Sequence, residues 1–188
     1  MVRTIGFTLG FVGTILTARA SDPTAFELVK EGNRYVGEQS KDKVVQIRSE
    51  KSVASLTPKI WRVVYRDETA TLKAVEVKFV AGKMTDVKRP LRLLEPILDK
   101  HGPLDRKQLK VDSDQAIKTA LKEPILENLK ITSTELKLEH GDAAPVWRIR
   151  LWAAKLKNPD KDVDLGEITI SAEDGKIVKL DVHLRRVE

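Results

Sequence analysis

The sequence predicts an α+β protein made of two repeated units, each one helix packed on a three- to four-stranded antiparallel sheet. Three observations carry that expectation. Pro58-Lys59-Ile60-Trp61-Arg62-Val63-Val64-Tyr65 resembles Pro145-Val146-Trp147-Arg148-Ile149-Arg150-Leu151-Trp152. Trp61 and Trp147 lie 86 positions apart, and the same offset lays Lys30, within a helical stretch from Phe26 to Val36, onto Ala116, within another from Gln115 to Lys122. The strand-like segments also alternate apolar and polar residues with period two, which marks a sheet covered on one face.

The elements follow in chain order. The chain has 188 residues, with 34 Lys plus Arg against 28 Asp plus Glu. Residues 1–20 read as a secretory signal: Arg3 is the positive start, Ile5 to Leu16 is uncharged and apolar, and Ala18-Arg19-Ala20 places small residues where a signal peptidase reads. An apolar stretch of about 12 residues rises about 18 Å as a helix, too short for a hydrocarbon core of about 30 Å, so cleavage after Ala20 is preferred to an anchor. Without Arg3 and Arg19, 32 basic residues face 28 acidic ones, a net charge of +4. No cysteine is present. That excludes a disulfide scaffold, a lipoprotein anchor, a zinc knuckle and a thiol nucleophile. The expected destination is periplasmic or secreted.

Unit one spans 21–95. Asp22-Pro23 reads as an N-cap with proline in the first helical position. The Trp61 strand follows, then a turn at Ala81-Gly82. Residues 96–111, with Pro96, Gly102 and Pro103, read as a linker. Unit two spans 112–188. Asp112 and Gln115 form a variant capping box. Ala116, Ile117, Ala120 and Leu121 give the helix an apolar face, and Pro124 limits it. Trp147, Ile149 and Leu151 share one face of the next strand, while Arg148, Arg150 and Trp152 share the other. Asp174-Gly175 joins two more alternating segments, a strong hairpin signal. Gly82-Lys83 matches Gly175-Lys176 at an offset of 93, so about seven residues are inserted between the Trp strand and this hairpin, within Lys155 to Asp164. Units this small bury little surface alone, so the two are expected to pack together.

Unit two resembles the PepSY domain family through the Gln115–Lys122 helix, the strand through Pro145-Val146-Trp147-Arg148-Ile149, and Gly166-Glu167-Ile168-Thr169-Ile170-Ser171-Ala172-Glu173-Asp174-Gly175-Lys176-Ile177-Val178. Unit one resembles it less: its turn lacks the acidic residue before Gly82, and Pro90 interrupts its last strand. Such domains occur in propeptides that inhibit thermolysin-like metallopeptidases and in other envelope proteins. The resemblance implies a helix followed by three strands and an exported location. It brings no catalytic residues, and any inhibition would act in trans.

No site chemistry is legible. His101, His140 and His183 are far apart, with no His-Glu-x-x-His spacing, so no metal is expected. No Gly-x-Ser-x-Gly elbow and no phosphate-binding glycine loop occurs, so no catalytic residue and no cofactor is assigned. The candidate binding face is Arg62, Arg66, Arg148, Arg150 and Trp152. Arginine and aromatic side chains on one sheet face can stack or bind anions, but they are also what a solvated face carries. Trp152 is out of phase with the core, and is either covered by the neighbouring unit or exposed as a contact residue. The leading functional expectation is a non-catalytic interaction module with a protein partner in the envelope, modulating a peptidase or another envelope protein. The alternative is a polyanion binder using the arginines on an anionic polymer, and an enzyme ranks third.

Overall fold

Local sequence starts both helices. The structure, a computed structural model, describes residues 22–89 and 102–188. The first helix, α1 (Ala25–Gly32), begins with a capping box in which Thr24 and Glu27 satisfy each other's backbone N–H groups. The cap is therefore Thr24, two residues beyond the expected Asp22. Threonine followed by glutamate three residues later satisfies two helix-end donors at once, whereas Asp22 satisfies none there. The second helix, α2 (Ser113–Leu121), starts at the expected Asp112, whose N–H donates to Gln115 Oε1 at 3.2 Å.

Eight strands are formed: β1 (Val44–Ser49), β2 (Ile60–Arg66), β3 (Ala74–Val80), β4 (Lys83–Lys88), β5 (Ile131–His140), β6 (Pro145–Ala154), β7 (Asp162–Ser171) and β8 (Ile177–Val182). They form one sheet in the order β4-β3-β2-β1-β5-β6-β7-β8, with every neighbouring pair antiparallel. This corrects the expected fold class. The chain is not two helix-on-sheet units but a single continuous sheet with a helical layer. The physical cause is the pairing of β1 with β5, where Ile47 faces Leu138 and Arg48 faces Lys137. Two edges that would otherwise expose unpaired backbone groups satisfy one another.

One main core runs the length of the sheet, with a small separate cluster of Val45, Val64 and Ala74 beside it. One cluster of buried side chains runs from Leu28, Trp61, Tyr65 and Phe79 through Ile47 and Leu138 to Trp147, Ile149 and Ile168. The helices reach across the middle. Phe26 of α1 packs on Trp147 of β6 with ring centroids 6.2 Å apart. Ala25 N–H donates to Ser113 Oγ at 3.0 Å, and Phe26 N–H to Asp112 Oδ1 at 3.2 Å, so the start of α2 also caps the start of α1. Trp61 and Trp147 both point into this core, but their surroundings differ: Trp61 Nε1 donates to Pro58 O in its own strand lead-in, and Trp147 Nε1 to Val111 O of the connecting segment.

That segment is part of the fold from residue 102 onward. Leu104 is buried and its N–H donates to Val44 O, while Lys110 and Val111 N–H both donate to Ala172 O. The signal reading of 1–20, and the part of the linker over 96–101, lie outside the described residues. No helix among the described residues is long and apolar enough to cross a membrane.

Candidate functional site

Helices cover one face of the sheet. The other face, formed by the alternate residues of every strand, carries the five residues singled out from sequence. Register decides which of them meet. Across six adjacent strands the outward residues Asp86, Lys78, Arg62, Arg48, Lys137 and Arg148 lie side by side, with Lys78 opposite Arg62, Arg62 opposite Arg48, Arg48 opposite Lys137 and Lys137 opposite Arg148. Adjacent strands stand about 4.8 Å apart, so this is a dense row of cations, and like charges directly opposite destabilise a sheet.

Carboxylates on the flanking rows offset it. Arg62 pairs with Glu50 at 2.7 Å and Glu76 at 3.3 Å, and Arg48 pairs with the same Glu76 at 2.5 Å. Lys137 pairs with Glu139 at 2.8 Å, and Arg148 with Glu139 at 2.5 Å and Glu167 at 3.1 Å. Arg150 Nε donates to Asp164 Oδ2 at 2.9 Å. Burial works against the charge of Arg148, but Glu167 and Glu139 outweigh it and hold the guanidinium above its ordinary value. Asp164 holds Arg150 above its ordinary value too; in return, although burial pushes the Asp164 carboxyl up, Arg150 and the Gly166 N–H outweigh that and bring it down.

The five sequence candidates divide. Arg148, Arg150 and Trp152 sit together on β6. Arg62 is three strand positions away on β2, in the same cation row. Arg66 lies further along β2 and pairs with Glu68 in the following turn. Trp152 is half-buried and lies beneath two cations, with Lys51 Nζ 4.6 Å and Arg150 Cζ 5.6 Å from its ring centroid. It is thus neither sealed between two units nor fully open. Sequence reasoning missed Arg48, Lys78 and Lys137, because their place in the row depends on the register between strands, β2 with β3, β1 with β2 and β1 with β5. It also missed Glu76 and Glu139, acids that each bridge a pair of cations in the row, as Glu50 does for Arg62 and Lys78.

Concavities are modest. Two shallow hollows of about 310 Å³ each lie on this face beside Arg148 and Arg150. A third, of about 220 Å³, lies on the helical side between Phe26 and Val29 of α1 and Leu104 and Leu109 of the connector, rimmed by the Arg106–Asp42 pair at 2.7 Å. Arg148, Arg150, Glu139, Glu167 and Asp164 in the first two and Arg106 and Asp42 in the third are engaged in ion pairs, and none of the three presents a nucleophile hydrogen-bonded to a base. Among the described residues no group of three or more His, Asp and Glu side chains could hold a metal ion. His140 Nε2 lies 2.7 Å from Gly102 O, and His183 Nε2 lies 3.4 Å from Asp181. Compared with protein-family models, curated proteins and solved structures, the chain matches none of them.

Proposed function

We propose that this is an exported, non-catalytic interaction protein that docks a protein partner on its open sheet face, around Trp152, Arg150 and Arg148. The observation that carries the reading is the mutual neutralisation of that face. Each of the five arginines on it already has a carboxylate partner, and the acids flank the row of cations on either side. A surface of that kind presents paired charges of both signs beside one aromatic ring. It suits a folded protein with a similar mixture, which can exchange ion pairs across the contact and cover the indole. The apolar leader and the resemblance of 112–184 to PepSY domains support an envelope setting and a modulatory role toward a peptidase or another envelope protein.

A polyanion reader is the second reading, favoured only by the row of cations. It would have to displace five carboxylates, Glu50, Glu76, Glu139, Asp164 and Glu167, before phosphate or sulfate could bind. The test is a photo-cross-linking residue in place of Trp152, compared with one in place of Val80 on the far strand. Capture of one partner from envelope extract at Trp152 alone, lost on Arg150→Glu, is the expected result. Equal capture at both positions contradicts the reading.

A further inference from the structure

The sheet ends at β8, and this edge differs from its counterpart. At the other end β4 runs on toward 90–101, outside the described residues. Beyond β8 the chain is described over residues 183–188. It leaves the edge after Val182 and folds back, with Leu156 N–H donating to Val187 O and Val187 buried. Two apolar side chains remain exposed along this short edge, Val178 at 62% and Leu180 at 42%, and Leu184 just past it is exposed at 37%.

Its backbone has a definite polarity. His183 N–H donates to Leu165 O at 2.7 Å, and the ladder pairs Asp181 with Glu167 and Leu180 with Ile168. In an antiparallel ladder hydrogen-bonded positions alternate. Residues 183, 181 and 179 therefore spend their main-chain groups on β7, and Leu180 and Val182 turn theirs outward. A lone lysine on an edge strand normally keeps other strands away. Here Lys179 is followed, two residues on, by Asp181, on the same polar face and 3.7 Å away.

We propose that β8 pairs antiparallel with β8 of a second copy of this chain, about a two-fold axis at Leu180. That register is the one the outward main-chain groups permit. Leu180 exchanges two hydrogen bonds with Leu180 of the second copy. Lys179 falls opposite Asp181 of the second copy, and Asp181 opposite Lys179, at non-hydrogen-bonded positions where side chains approach most closely. Val178 faces Val182 on the apolar side. One short sequence is thus complementary to itself in charge, in main-chain polarity and in the placing of its apolar groups, as an isologous contact requires. The result is a sheet continued through the dimer axis, and it leaves the face around Trp152 uncovered.

Sedimentation velocity of the purified chain over a concentration series tests this, with thermal melts by circular dichroism as the folding control. The wild-type chain is expected to show reversible dimerisation. Asp181→Lys places lysine against lysine and is expected to be monomeric with little change in the melt. Exchanging the two charges, Lys179→Asp with Asp181→Lys, restores opposite signs and is expected to restore the dimer. A wild-type chain that stays monomeric into the millimolar range overturns the proposal. So does a dimer indifferent to Asp181→Lys, or one that the exchange fails to restore.

Discussion

Ala81 and Gly82 form the two-residue turn between β3 and β4, with φ of +47° and +78°. Both angles are left-handed, the geometry that matches strand twist in a type I′ hairpin, and alanine adopts it at a cost of about 1–2 kcal/mol. Ala81→Gly removes that strain but loosens the unfolded chain, so a net gain of up to about 1 kcal/mol is expected in urea unfolding. Gly166 is the opposite case. Its φ is +113°, and a Cβ there would stand 2.1 Å from Asp181 O on the neighbouring strand. Gly166→Ala should cost at least about 2 kcal/mol, since neither backbone can yield without breaking the β7–β8 ladder. Asp67 supplies the pH dependence. It is buried, and the Thr69 hydroxyl at 2.6 Å, the Thr69 N–H and Arg89 hold its carboxyl below the usual range. A depressed folded pKa means the unfolded chain takes up the proton first. Its stabilisation is therefore complete above about pH 4 and lost as pH falls further, and Asp67→Asn should flatten the acid limb of a stability–pH curve in that window.

At the scale of elements, the seam between β1 and β5 is the critical contact. Only Ile47–Leu138 and Arg48–Lys137 face each other in regular register. Beyond them serine hydroxyls take over: Ser49 Oγ accepts from Leu136 N–H at 2.9 Å, and Ser52 Oγ accepts from Thr134 N–H at 2.9 Å while donating to Ser55 O. Both amides are buried, and an unsatisfied buried donor costs about 1–3 kcal/mol. Ser49→Ala and Ser52→Ala are each expected to destabilise by that amount, and hydrogen exchange at Leu136 and Thr134 should accelerate first. The same seam shows what was legible in the sequence. The Asp112–Gln115 cap and the Asp174-Gly175 hairpin were, because a few adjacent residues dictate them; Gly175 does take a φ of +75°. The grouping of Arg148, Arg150 and Trp152 was too, since period two within one strand places them. Strand β1 was not, because a bulge between Val44 and Gln46 breaks its alternation. Strand β5 does alternate, with Leu136 and Leu138 against Glu135, Lys137 and Glu139, but its partner lies some 90 residues away and no local pattern names it. Glu76 and Glu139 stayed hidden for the same reason, as their roles arise from register between strands.

At the scale of the molecule, one sheet and one main core spanning it make one cooperative block. Heating should give a single transition with equal calorimetric and van't Hoff enthalpies. The block also sets the character of its open face. Surface ion pairs contribute little each, but a shared carboxylate between two cations does more, by relieving their repulsion. Glu76 serves Arg48 and Arg62, and Glu139 serves Lys137 and Arg148. Removing them should convert a neutralised face into a basic one. Retention on immobilised heparin across a salt gradient measures this directly. The wild-type chain is expected to release at low salt, unchanged by Arg148→Ala with Arg150→Ala, while Glu76→Gln with Glu139→Gln should shift release to clearly higher salt. Tight, steeply salt-dependent retention of the wild-type chain that those two arginine changes abolish would contradict the account.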